Sequence, residues 1–295
     1  EIGVRLVGSE MCIRDRHFTM KKVFITYGDQ KYKDSLQRIK KEAEALEIFD
    51  EIHLYNDKLL PDLFQEYVRQ YERGGGYWLW KPYVLFDALS KVDEGDIIVY
   101  ADAGCTLLRH TDWKDYFRIL KRKEAIFFIT KGKNKKWCKK EVFTFFNPNN
   151  SLWRNAYQIQ ATFFMIKKTK SNEVIKRWYQ LATTHPHLFI DIHQDERFKE
   201  NPSVKEHRHD QAVLTGCICM SKDLRRYYLI PERMEKRLSG GQAVLASRIS
   251  AEGIRGADMS SPVENPFVTY INKLTENPLR KFRTLLFFYL SRISV

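Results

Sequence analysis

Gly95-Asp96-Ile97-Ile98-Val99-Tyr100-Ala101-Asp102-Ala103-Gly104 decides how the rest of the chain is read. Ile97 to Tyr100 is an unbroken β-branched and aromatic run with no polar residue to mark a solvent face. That is the pattern of a strand buried on both faces of a parallel sheet. Gly95 interrupts the chain before it, and Asp102-Ala103-Gly104 falls just past its carboxyl end. In open α/β sheets that end is where ligands bind. Asp102 is therefore the first candidate for chemistry. Asp96 lies at the other end, roughly 20 Å away by strand rise, too far to share a metal with it.

On the N-terminal side, Lys21-Lys22 lead into Val23-Phe24-Ile25-Thr26-Tyr27, a strand stopped by Gly28-Asp29. Leu36, Ile39, Ala43 and Leu46 recur at helical spacing, and Ile52 to Tyr55 reads as a second strand. A polar helix over 60–71 runs into Gly74-Gly75-Gly76. Tyr77-Trp78-Leu79-Trp80-Lys81-Pro82-Tyr83 then opens a helix reaching about Leu89, with Pro82 suited to its first turn.

On the C-terminal side, strands are predicted over 125–130 and 161–167, and a helix over 172–182. A basic, aromatic loop is expected over 131–157, and another helix opens at His209-Asp210-Gln211 with a carboxylate in its first turn. The stretch from 216 to Pro266 reads as loop. The alternation of strand and helix predicts an α/β fold with a mostly parallel central sheet flanked by helices.

Three blocks in this order, Gly76 to Tyr83, Gly95 to Cys105 and His207-Arg208-His209-Asp210-Gln211, resemble a family of bacterial and viral capsular-polysaccharide glycosyltransferases of the GT-A, Rossmann-like type. Phe24 to Asp29 and Phe49-Asp50 fit the same pattern, and the resemblance covers roughly residues 22–215. It implies a nucleotide-sugar donor, a glycan or lipid-linked acceptor, and hexosyl transfer. It also implies an Asp-x-Asp at the strand end, where this chain has Asp102-Ala103-Gly104 and lacks the second carboxylate.

Transfer from a nucleoside diphosphate needs positive charge, from a metal or from Lys and Arg, at the departing diphosphate. The expected donor-binding residues are Thr26, Tyr27, Trp78, Trp80, Lys81, Asp102, Ala103 and Gly104. In that arrangement Lys81 reaches the diphosphate and the indoles stack on sugar or base. The expected catalytic residues are Asp102, Asp210 and Gln211, the last two beside the transferred sugar. Mn²⁺ or Mg²⁺ on Asp102, with His209 as a second ligand, is one expectation; transfer without a metal is the other. His207 and His209 share a face only on a strand, so their spacing is a weak metal signal. Each of these residues also has an ordinary structural reading: a turn acceptor for Asp102, core anchors for Trp78 and Trp80, a helix cap for Asp210.

Composition sets the outer bounds. At 295 residues and 43% hydrophobic the chain can bury a real core, which sets aside disorder and fibrous repeats. A net charge of +13 favours polyanionic partners. Lys131 to Lys140, interleaved with Trp137, would suit nucleic acid, but no nucleic-acid-binding fold is recognisable and none is expected as a partner; the same basic loop would equally attract an acidic acceptor or an anionic membrane. A GT-A-like protein that has lost catalysis and only binds sugar is the other reading. Five cysteines without a zinc or redox spacing read as free thiols in a cytoplasmic protein. Leu279 to Val295 mixes cations with large apolar residues, as in a helix that lies on a membrane surface or docks on the core. The first 19 residues resemble a translated sequencing adapter. The expected organisation is therefore an artefact over 1–19, a transferase domain over 20–270 and a basic, apolar helix over 271–295.

Overall fold

A computed structural model describes residues 20–235, 243–250, 253–254 and 266–292. The segment set aside at 1–19 lies outside them. The elements in chain order begin with β1 (Lys22–Tyr27), α1 (Lys33–Leu46), β2 (Glu51–Tyr55), α2 (Asp62–Gln70), a one-turn α3 (Gly74–Tyr77), α4 (Trp80–Ser90), β3 (Ile97–Ala101) and β4 (Thr106–Leu107). Next come α5 (Asp112–Leu120), β5 (Ala125–Lys133), α6 (Asn134–Trp137), α7 (Lys140–Phe146), β6 (Tyr157–Ile159), β7 (Phe163–Lys167) and α8 (Glu173–Thr184). The described chain closes with α9 (His209–Cys219), β8 (Tyr227–Pro231), β9 (Val244–Leu245), two short strands β10 (Ile249–Ser250) and β11 (Gly253–Ile254), and α10 (Pro266–Leu290).

The central sheet has seven strands in the order β2-β1-β3-β7-β5-β6, with β8 added to β5. Strands β2, β1, β3, β5 and β8 point one way, and β7 and β6 run against them. The expected α/β class with a parallel-rich sheet is the observed fold.

Alternate residues of each central strand face two different cores, which is why those strands carry no polar face. Val23, Ile25, Ile98, Tyr100, Phe127 and Phe164 pack with α4, α8 and α9 on one side. Phe24, Val99, Ile126, Phe128, Phe163 and Met165 pack with α1 and α5 on the other. The carboxyl ends of β1, β3, β5 and β8 share one edge, and the chain between β6 and β7 turns there too: Asp102 N donates to Thr162 O at 2.9 Å. Asp96 has a structural task at the opposite edge, accepting from the backbone of Lys21 and Asp93.

Two expectations are corrected. The loop foreseen over 131–157 holds the end of β5, the helices α6 and α7 and the strand β6. They are short, and tertiary contacts supply what their periodicity lacks: fully buried Asn134 donates to Trp153 O at 3.0 Å. The loop foreseen between 216 and 266 hides β8, whose Tyr227 and Leu229 face the core beside β5.

The terminal helix starts earlier than foreseen, at Pro266. One face docks: Arg280, Thr284, Phe288 and Ser291 are buried, and Asn147 and Asn150 donate to the carbonyls of Ser291 and Leu290 at its end. The other face presents Leu279, Phe282, Leu286 and Tyr289 to solvent. Among the described residues no helix is long and apolar enough to cross a membrane.

Candidate active site

The site begins with a strained turn. Five consecutive residues, Gly74 to Trp78, have positive φ, and two of them, Tyr77 and Trp78, are not glycine. A left-handed conformation costs an L-residue roughly 1–2 kcal/mol, so packing must hold these two in place. Trp78 lies against the His209 ring, with centroids 5.3 Å apart, and Tyr77 OH donates to Asp191 Oδ2 at 3.1 Å. Gly76 has no substitute, because a Cβ there would stand 2.8 Å from the Tyr67 backbone. The turn aims the next residues inward: Trp80 stacks on Tyr27 at 3.7 Å, and Lys81 enters the interior in the first turn of α4.

Lys81 is only 2% exposed. Its ammonium donates to Ala161 O at 2.9 Å and ion-pairs with Asp102 Oδ1 at 3.1 Å and Asp210 Oδ2 at 2.8 Å. The faces of Trp80 and Tyr100 flank it, each centroid 5.6 Å away. Burial pulls the Lys81 pKa down, but the two carboxylates outweigh it and hold the group above its ordinary value. Asp210 is held up by burial, against which Lys81 works. One ammonium thus serves two carboxylates that lie 108 positions apart in sequence, with Asp210 the more deeply buried of the two. Asp102 keeps 30% of its side chain open to the cleft. Tyr100 OH donates to Asp102 Oδ1 at 2.6 Å, a partner implied by the two-residue period that puts Tyr100 and Asp102 on one side of the chain.

The remaining expected residues separate into three groups. Thr26, Tyr27 and Trp80 are buried, so they shape the floor of the site instead of lining an open cleft. Ala103 and Gly104 are roofed: Arg38 donates to Ala103 O, and Ile249 N donates to Gly104 O at 3.1 Å. Gln211 is half-buried and donates to Gln158 Oε1 at 2.5 Å, which carries the site from Asp210 toward β6. Lys81, expected to reach a diphosphate, has its ammonium occupied by Asp102, Asp210 and Ala161 instead. The physical reason is burial, since a cation without water needs fixed partners.

The expected metal ligands are not brought together. His209 Nδ1–H donates to Phe189 O at 2.8 Å, and His207 Nε2–H donates to Leu188 O at 2.8 Å. His207 has both nitrogens engaged, Nδ1 accepting from Lys139 N at 3.4 Å, whereas His209 Nε2 has no hydrogen-bond partner among the described residues. Among the described residues no group of three or more His, Cys, Asp or Glu is placed to hold a metal ion. A divalent cation on Asp102 Oδ1 would have to share that oxygen with the Lys81 ammonium 3.1 Å away. These residues do not fit such an ion, and no step is derived through one.

What sequence reasoning missed is the concave surface to which its basic run belongs. A cavity of about 730 Å³ opens beside Gln211, lined by Gln158, Gln160, Trp137, Tyr157 and a set of cations from β5, α6 and the approach to α9. The signal was present in the basic run Lys131 to Lys136, but its reading as a loop hid the concave surface.

Comparison with known proteins adds low-scoring likenesses of chain path. A glycosyltransferase involved in glycosylation of the major capsid of PBCV-1 superposes with a TM-score of 0.39 at 10% identity, over 73% of this chain and 82% of that one. The apo form of the glycosyltransferase GlyE of Streptococcus pneumoniae gives 0.41 at 14%, over 92% and 64%. A 4-diphosphocytidyl-2C-methyl-D-erythritol synthase of Anaerococcus prevotii gives 0.30 at 14%, over 68% and 99%. No family model matches the sequence, and no curated protein matches it.

The paired histidines give a pH prediction. Burial lowers His209 from 6.5 to about 4, and burial likewise holds His207 well below its ordinary value. Between pH 6.5 and 4 the unfolded chain binds more protons than the folded one, so stability falls as the pH falls through that window. A shift of the size of His209's corresponds to about 3 kcal/mol. Urea midpoints measured at pH 7 and pH 5 should drop on acidification, and His209→Gln should flatten the drop. An unchanged pH slope in the variant would contradict this account.

Proposed function

We propose that the chain is a glycosyltransferase that moves a sugar, with a hexose as the expected unit, from a nucleotide-sugar donor to a glycan or lipid-linked acceptor. One observation supports it most: the residues from three sequence blocks that resemble such enzymes, Lys81, Asp102 and Asp210, meet on one ammonium at the carboxyl edge of the sheet. A helix cap or a turn acceptor needs no such convergence.

In this reading the bond between the anomeric carbon and the diphosphate oxygen breaks, and its electron pair leaves with the diphosphate. The acceptor hydroxyl forms the new bond and gives up a proton. Asp102, open to the cleft, binds hydroxyls of the donor. Asp210 is the better proton acceptor, since burial raises its pKa. Gln211 faces the sugar, and Trp78 offers a half-buried indole to it. Lys81 keeps both carboxylates in place and cancels one of their two charges, so an incoming diphosphate meets less repulsion.

The test is a thermal-shift screen against UDP, GDP, CMP and their sugars, each with and without Mn²⁺. A ligand that binds only the native state raises the melting temperature. The expected result is a rise with one nucleotide that Asp102→Asn removes. No rise with any of them overturns the proposal, and a rise without any release of nucleotide from the sugar donor leaves a sugar-binding protein.

Peripheral contact with a membrane is part of the same proposal. Leu279, Phe282, Leu286 and Tyr289 form an exposed apolar stripe at spacings of three and four, with exposed Arg283 beside it. Co-sedimentation with vesicles of phosphatidylcholine and phosphatidylserine should be lost in Phe282→Ser/Leu286→Ser. Equal sedimentation of the variant would refute the contact.

A further inference from the structure

The cavity beside Gln211 is built from cations. Lys131, Lys133, Lys135, Lys136 and Lys205 line it, and of these Lys131 acts on the lining carboxylate Glu232. Arg208 lies over the Trp137 ring, 4.3 Å from its centroid, with its own guanidinium in the cavity wall. Two carboxylates, Glu232 and Glu235, share the lining with these cations. Glu235 pairs with Arg248 at 2.6 Å, and burial favours the neutral form of Glu232. Several like charges gathered in one concave surface repel one another, which a protein sustains where a multiply charged anion is to be held. Lys133 carries the mark of this crowding: burial and then Arg283, Lys135 and Lys136 lower its pKa.

The wall is held by its own contacts. Gly132 leaves room for Trp137, since a Cβ there would stand 2.6 Å from the indole. Trp137 O accepts from Gln158 Nε2 at 3.0 Å, and Gln158 accepts from Gln211, the neighbour of Asp210. The cavity is thereby tied through Gln158 and Gln211 to the first turn of α9, which carries Asp210. It is lined by none of Thr26, Tyr27, Trp78, Trp80, Lys81 or Asp102, the residues of the half assigned to the donor.

We propose that this cavity binds a phosphate or diphosphate ester carried by the acceptor, and that the transferase acts on a phosphorylated acceptor. The proposal rests on the sugar-transfer reading for the word acceptor, but the anion site stands or falls on its own. Lysines act on phosphate as mobile point charges, and Trp137 and Tyr157 give apolar wall for a sugar ring next to it.

The experiment is isothermal titration of the full chain with inorganic pyrophosphate and with glucose 1-phosphate, and vesicle binding with and without phosphatidic acid. Lys133→Ala/Lys135→Ala is compared with Lys33→Ala/Lys41→Ala, which removes the same charge from exposed positions on α1. Unchanged melting temperatures check that both variants fold. The cavity variant should weaken pyrophosphate by about tenfold while the control does not, as expected when charge-assisted contacts are lost. Weakening of glucose 1-phosphate assigns a soluble sugar phosphate, and weakening of vesicle binding alone assigns a lipid phosphate; either supports the site. Equal affinities in wild type and cavity variant overturn it. So does a cavity variant that loses affinity for nucleoside diphosphate and keeps it for both phosphate esters, because the cavity would then belong to the donor. If no nucleotide raises the melting temperature yet the cavity variant loses pyrophosphate, the transfer reading fails and the anion site remains.

Discussion

One positive charge carried into a place without water governs the arrangement of this molecule. The Lys81 ammonium is stripped of solvent at the head of α4, where the helix dipole also disfavours a cation. Desolvation of such a group costs several kcal/mol, and removing one partner of a buried pair typically costs about 3–5 kcal/mol. The fold answers with Asp102 from the end of β3, Asp210 from the first turn of α9 and the carbonyl of Ala161 ahead of β7. Three parts of the chain that are remote in sequence are thereby fixed at one point of the sheet edge. The left-handed turn at 74–78, which delivers Lys81 to that point, is held in turn by His209 and Asp191.

The same constraint explains why a metal site is a poor description. Asp102 lacks a carboxylate two positions on, and the carboxylate it does face, Asp210, is reached across an ammonium. His209, the other expected ligand, gives its Nδ1 proton to a backbone carbonyl and supports the wall behind Trp78. Further positive charge is abundant in the cavity beside Gln211.

The α/β class, β1, β3, α1 and α4 were legible because each buries an apolar run, and the short, half-buried β2 was legible from its β-branched and aromatic residues after α1. Of the residues singled out from the sequence, Lys81, Asp102 and Asp210 meet at one ammonium, and Gln211 follows Asp210 on α9. Their partners were not legible, because a Lys–Asp–Asp contact spanning positions 81, 102 and 210 leaves no local trace. The Tyr100 partner of Asp102 went unremarked too, although strand period places the two on one side of the chain. The segments that escaped, α6, α7, β6 and β8, are short and rich in aromatic and basic residues. Their structure comes from contacts such as Asn134 with Trp153 and from β8 lying along β5. The cavity was missed for the same reason, since a concave surface made by several short elements has no periodicity of its own.

The central claim is that Asp102 and Asp210 work as one unit through Lys81. It is tested most directly by measuring nucleotide release from the sugar donor for Asp102→Asn, Asp210→Asn and the double variant. Residues that act as a unit give losses that do not add. The account predicts that each single variant loses most of the rate and that the double variant loses little more. Losses that multiply in the double variant would show two independent groups and contradict it.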